Sequence, residues 1–209
     1  CNPSVCKTME RRIDDGYTEF HWSHHSGSMG DATNEYWQWL EEKGTGFNEL
    51  SHPYPDSKYI RLGPPAEFHQ TTWCTEKACD FIEARTNDNL PWLFSVNMFD
   101  PHHSFDAPEE YLNRYITNLD EIPLPNYVEG ELENKPSWQK FDHEGAYGHR
   151  AGHYFPEMTD KDHRLVKSSY CAMCDLIDVQ VGRMLAKIEE TGQKKNTIVI
   201  FTSDHGEML

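Results

Sequence analysis

Two apolar runs constrain the fold of this chain more than any other feature. Pro91-Trp-Leu-Phe-Ser-Val-Asn-Met-Phe99 and Asn196-Thr-Ile-Val-Ile-Phe-Thr202 are rich in β-branched and aromatic residues, and each follows a helix-like segment across a short turn. Each also empties into a polar loop: Asp100-Pro-His-His-Ser-Phe105 after the first, Ser203-Asp-His-Gly206 after the second. Helix, turn, buried strand and polar loop, repeated, is the grammar of an α/β fold with a mostly parallel sheet flanked by helices. In open sheets of this kind the carboxyl ends of neighbouring strands form the ligand crevice, so the two loops are expected to converge.

The remaining pattern supplies helices. One is expected over 33–43 and ended by Gly44. A second spans 71–85, capped by Thr71 or Thr72, with Trp73, Ala78, Phe81 and Ile82 on one side. A third, long helix starts near Thr159, where Asp160 and Asp162 suit the positive end of the helix dipole. Its apolar face is Leu165, Leu176, Ile177, Val181, Met184, Leu185 and Ile188, and Gly192 ends it. The rest of residues 1–70, and residues 106–158 with Pro123, Pro125 and Pro136, read as loops, the latter an excursion over the surface.

A length of 209 residues suits one α/β domain or a large piece of one, and a net charge of −16 argues against a nucleic-acid partner. An anionic substrate would instead need a locally positive site, which a metal ion supplies. No window is apolar enough to span a membrane. The chain begins with Cys1, so the lack of a signal segment leaves the compartment open, and oligomeric state is equally unspecified. Six cysteines are too sparse for a disulfide scaffold; Cys171-Ala-Met-Cys174 matches C-x-x-C but sits inside the long helix, which favours packing over redox or zinc chemistry. The histidines of His21-Trp-Ser-His24-His25, with His143, His149 and His153, lack zinc-site spacing and read as loop anchors. Trp22, Trp37, Trp39, Trp73, Trp92 and Trp138 read as packing residues.

The two loops carry the chemistry. Asp204 and His205 offer a carboxylate and an imidazole before a turn-permitting glycine. That set suits a divalent cation, and equally suits ordinary loop polarity. Asp100-Pro-His102-His103 makes a turn, or presents a histidine as hydrogen-bond donor and general acid.

Three strings together resemble the sulfatase family of the alkaline phosphatase superfamily. Leu93-Phe-Ser-Val-Asn-Met-Phe-Asp-Pro-His-His-Ser-Phe105 resembles its strand followed by Asp-Pro-His-x-Pro-Phe, with Ser104 in place of the usual Pro. Asp178-Val-Gln-Val-Gly-Arg183 resembles the end of its long helix. Asn196 to Met208 resembles its strand and metal loop. The resemblance covers residues 71–209 and implies roles position by position. Asp204 and His205 match half of the metal site, His205 standing where many relatives have Asn. His102 matches the histidine that contacts the sulfate and protonates the leaving alcohol, with His103 beside it as a second substrate contact.

The resemblance also implies a divalent metal, calcium first, with magnesium, manganese or zinc as alternatives, and a formylglycine nucleophile made from Cys in C-x-P-S-R. Cys1-Asn-Pro-Ser-Val5 is rejected as that motif because Val5 stands where Arg is required. Arg11 to Tyr17 and Phe20 to His24 instead resemble a segment lying after the nucleophile. Residues 1–209 are therefore expected to be an incomplete sulfatase catalytic domain. The nucleophile strand and a carboxyl-terminal subdomain would lie elsewhere, and the fragment alone would be inactive. The expected substrate is a small-molecule or carbohydrate sulfate ester. Competing readings are a phosphonate or phosphate ester hydrolase of the same superfamily and a non-catalytic metal-binding module.

Overall fold

A computed structural model describes residues 16–27, 34–88, 90–145, 154–207 and 209. The chain divides into two compact units, one of Cys1–His52, Gly63–Asp100 and Cys174–Val199, the other of Pro53–Leu62, Pro101–Met173 and Ile200–Leu209.

In the first unit, helix α1 (Glu35–Glu42) begins where Asn34 Oδ1 accepts the Trp37 N–H. It stops before Gly44, whose φ of +78° is the left-handed conformation that a side chain disfavours. A single turn, α2 (Phe47–Leu50), follows. Helix α3 (Gln70–Ala84) buries Trp73, Ala78, Phe81 and Ile82, the side expected of it. Its cap is His69 and not Thr71 or Thr72: His69 Nδ1 accepts the Thr71 N–H at 3.3 Å, and both threonines are buried within the first turn. Tyr36, Trp39, Leu40, Phe47 and Trp73 form the aromatic core of this unit, each large side chain contributing about 1.5–3 kcal/mol by leaving water. The Tyr36 hydroxyl donates to the Phe68 carbonyl at 2.8 Å, and Trp39 Nε1–H donates to Glu76 at 3.2 Å, so the polar tips of these rings are satisfied.

In the second unit, α4 (Glu109–Ile116) and α5 (Ser137–His143) form within the stretch expected to be loop. Pro108 and Pro136 occupy their N-cap positions, so prolines that signal a loop here open helices. Phe105, Ala107, Tyr111, Leu112, Tyr59, Ile60, Leu165, Val166, Ala172 and Met173 make this unit's core. Helix α6 (Asp160–Glu190) runs for 31 residues, and its residues from Cys174 belong to the first unit. Of its expected apolar face, Leu165, Leu176 and Ile188 are buried, whereas Leu185 is exposed; Val166, Ala172 and Met173 take up the burial instead. Its amino end is a reciprocal cap. Thr159 donates N–H and Oγ1–H to Asp162 Oδ2 at 2.9 and 2.6 Å, the Asp162 N–H returns to Thr159 Oγ1 at 3.2 Å, and Ser57 donates to Asp162 Oδ1 at 2.7 Å.

The expected parallel sheet is not formed by the described residues. They hold one two-stranded sheet, β1 (His52–Pro53) with β2 (Arg61–Leu62), and an isolated parallel bridge between Ile60 and Phe105. Residues 91–98 alternate between exposed and half-buried, the period of an extended chain. The half-buried side is held by α3: Phe81 packs on Trp92 and Phe94 with ring centroids 5.6 and 4.6 Å apart. The other side is bare, with Leu93 80% exposed, and Ile198, Val199, Ile200 and Phe201 are likewise exposed. Apolarity marks a strand, but a ladder needs a neighbour, and neither run has one among the described residues.

Candidate active site

The turn after residue 99 divides into an anchor and a chemical part. Asp100 is the anchor: it is buried, and its Oδ2 accepts the Thr71 hydroxyl at 2.6 Å at the amino end of α3. The same oxygen lies 3.4 Å from His69 Nδ1. His69 Nδ1 also meets the Thr71 N–H at 3.3 Å, so Asp100, His69 and Thr71 form one buried polar group at the start of α3. Residues 100–101 lie in a turn, but the Asp100 carboxylate serves the distant Thr71 hydroxyl and not the nearby backbone that the turn reading called for.

His102 and His103 are half-buried and stacked, ring centroids 4.0 Å apart. The Nδ1–H of His102 donates to the His103 carbonyl at 2.6 Å. Because a carbonyl oxygen only accepts, Nδ1 is the nitrogen that donates in this contact.

Asp204 and His205 lie in the polar loop after the second run, both exposed, with side chains 90% and 63% accessible. The His205 N–H donates to Asp204 Oδ1 at 2.9 Å, and the Ser203 hydroxyl donates to the His205 carbonyl. Asp204 Oδ2 and His205 Nε2 stand 3.7 Å apart. Two donors each about 2.2 Å from one cation, at right-angled to tetrahedral spread, are separated by about 3.1–3.6 Å. The pair thus fits two ligands of a divalent ion after a shift of a few tenths of an ångström. Among the described residues no third carboxylate, imidazole or thiol completes a cluster with them. The Gly206 carbonyl, the Asp204 carboxylate and Glu207 raise the His205 pKa above its usual 6.5.

The structure therefore brings together His102 with His103 and Asp204 with His205. All four belong to the second unit.

The other histidines named from the sequence have local partners. His21 bonds Glu35 at 2.7 Å, His25 meets the Phe99 ring at 4.9 Å, and His143 stacks between Tyr127 and Phe155 at 4.7 and 4.4 Å. His149, His153 and the Cys1-Asn-Pro-Ser-Val string lie outside the described residues. Cys171 and Cys174, inside α6, and Cys74 and Cys79, on α3, form no disulfide. Trp39 and Trp73 are core residues, but Trp138 on α5 is exposed, against the packing role expected of it. Sequence reasoning missed the depression lined by residues 53–61 and Ser104, because that segment has no helical or strand period to signal it.

The sulfatase family model matches residues 11–209. The multifunctional alkaline phosphatase superfamily protein PehA of Trinickia caryophylli is 32% identical over 82% of this chain and 32% of its own length. An arylsulfatase of Clostridium perfringens is 25% identical over 99% of the chain and 42% of its own length. Human iduronate 2-sulfatase is 26% identical over 78% of the chain and 33% of its own length. The chain thus spans about a third of the length of such curated relatives. Among solved structures, the phosphonate monoester hydrolase SpPMH from Silicibacter pomeroyi superposes with a TM-score of 0.61 at 22% identity, covering 79% of this chain and 34% of that one, a likeness of fold. With a family match that begins at residue 11 and runs through both histidine-bearing loops, the chain belongs to the sulfatase family of the alkaline phosphatase superfamily.

Proposed function

We propose that residues 1–209 supply the His102 and Asp204–His205 portions of the active site of a sulfuric ester hydrolase. The observation that carries this reading is the His102 Nδ1–H bond to the His103 carbonyl, which dedicates Nε2 to proton transfer in the loop whose sequence resembles the family's sulfate-contacting turn. The S–O bond to the alcohol breaks as the nucleophile's oxygen bonds to sulfur, and His102 Nε2–H gives its proton to the departing alcohol oxygen. His103, stacked on His102, contacts the sulfate and limits the ring's rotation. Asp204 and His205 would hold a divalent cation, calcium in the first instance, which would supply positive charge for the sulfate in a chain of net charge −16.

In this proposal the formylglycine nucleophile, the opposing metal ligands and the mostly parallel sheet that would unite the two loops involve sequence other than residues 1–209. The isolated chain is accordingly inactive. The test is assay of the full-length protein that contains these residues against sulfate monoesters, phosphate esters and phosphonate monoesters. Release of sulfate, lost in His102→Gln, supports the reading. Preferential release of phosphate or phosphonate moves the protein to the second reading; turnover of none of them contradicts both.

A further inference from the structure

A carboxylate taken out of water keeps its charge only where donors replace the lost solvent, so the donors of a buried Asp fix where it can sit. Asp100 is such a group. Its side chain is 2% accessible, the Thr71 hydroxyl donates to its Oδ2 at 2.6 Å, and His69 Nδ1 lies 3.4 Å from the same oxygen. Thr71 is itself held fast in the first turn of α3: it is 1% exposed, its N–H meets His69 Nδ1 at 3.3 Å, and its carbonyl accepts the Thr75 hydroxyl at 3.1 Å. What Thr71 holds is separated from His102 by very little chain, two residues of backbone reaching at most about 7 Å. Pro101 stiffens that path, because its ring sets its own φ near −65° and confines the residue before it to extended conformations. The place of the His102 Cα relative to Asp100 is then set by the ψ angles of Asp100 and Pro101 alone. A shift of the carboxylate is passed on to the His102 ring.

We propose that Thr71 is a positioning residue for His102: through the Asp100 carboxylate, its hydroxyl sets the place from which the His102 ring gives a proton to the leaving alcohol. The hydroxyl acts through Asp100 and takes no part in the proton transfer, and the proposal rests on the general-acid role given to His102. Without that hydroxyl the buried carboxylate is short of a donor, so it turns toward another donor or admits water, and the turn that carries His102 moves with it. A misplacement of about 1 Å is enough to cost about 10²-fold in rate. The loss is also selective. An alkoxide leaves only with a proton supplied, whereas 4-nitrophenolate leaves without one.

The test uses the full-length protein with Thr71→Val, which keeps the shape and loses the donor, and Thr71→Ser, which keeps the donor. Each is assayed on an alkyl ester and on the 4-nitrophenyl ester of the acid that the wild type hydrolyses best. Thr71→Val is expected to lower kcat for the alkyl ester about tenfold or more and kcat for the aryl ester less than about threefold, with both KM values within about twofold. Thr71→Ser should recover most of the loss. A role in folding alone lowers both esters by one factor, the share of folded enzyme lost. That result, no loss at all, or a selective loss that Thr71→Ser does not recover overturns the proposal and leaves hydrolysis at His102 standing. Thr71→Ala is read by the same criteria if Thr71→Val does not fold. If the wild type hydrolyses no ester, the hydrolase reading has failed, and nitrogen-15 NMR of labelled histidines decides whether Thr71 positions His102. Ring resonances of His102 that move in Thr71→Val and return in Thr71→Ser support the coupling, and any other pattern overturns it.

Discussion

His102 donates its Nδ1–H to the carbonyl oxygen of His103 across 2.6 Å, so the proton transfer proposed for this ring falls to Nε2. A general acid matters in proportion to how poor the leaving group is. His102→Gln in the full-length protein is therefore expected to lower kcat by about 10²–10⁴ for alkyl sulfates, and by much less for 4-nitrophenyl sulfate, whose phenolate leaves unaided. A steeper dependence of log kcat on leaving-group pKa in the variant is the measurement that checks it.

The cap of α6 concentrates four hydrogen bonds on the pair Thr159 and Asp162, with Ser57 as the outside donor. Burial by itself would raise the Asp162 pKa, but the bonds from Thr159 and Ser57 outweigh it and hold the carboxyl below its usual 3.8. Asp162→Ala is expected to cost about 1 kcal/mol in urea unfolding at pH 7. A depressed folded-state pKa stabilises above the unfolded value, so the wild-type advantage is full above about pH 3.8 and disappears as pH falls through the lower, folded value. A difference between the two proteins that persists undiminished at pH 2 contradicts this assignment.

Gln193 joins three elements of the first unit. Its Nε2–H donates to the Ile82 carbonyl at 2.9 Å, and its Oε1 accepts the Trp92 Nε1–H at 3.1 Å. Gln193→Ala leaves both groups half-buried and unmatched, an expected loss of about 1–2 kcal/mol. Gln193→Glu keeps the acceptor but not the donor, so it should lose less than Ala; denaturation midpoints with equal slopes are the readout.

Burial, with a smaller contribution from the Asp100 carboxylate, pushes the Cys74 thiol up to about 12. At pH 8 only about one molecule in ten thousand carries that thiolate, so iodoacetamide is expected to leave Cys74 unmodified in the native protein and to label it fully in urea. Peptide mass spectrometry after a short pulse distinguishes the two; rapid native labelling contradicts the packing of α3 described above.

What the sequence disclosed was local. The end of α1 before Gly44, the buried side of α3 and the acidic first turn of α6 are set by residues a few positions apart, so they are readable one segment at a time. The helices α4 and α5 escaped notice because Pro108 and Pro136 resemble loop residues until their place just before a helix is known. The strands fall short for a different reason: the apolarity of 91–99 is plain, but its partners are remote in sequence. Asp100 illustrates the same limit, since its service to Thr71 depends on a residue 29 positions away. His102, His103, Asp204 and His205 were singled out by the chemistry of their loops and given roles by the resemblance; the depression beside Ser104 offers no motif at all.

The most direct test of the central claim is a crystal structure of the full-length protein with manganese as a divalent probe and a non-hydrolysable sulfate ester, located by anomalous scattering. The account predicts one cation about 2.0–2.4 Å from an Asp204 oxygen and from His205 Nε2. The oxyanion should lie against that cation, with its bridging group within about 3 Å of His102 Nε2. A cation bound away from Asp204 and His205, or an oxyanion beyond the reach of His102, would contradict it.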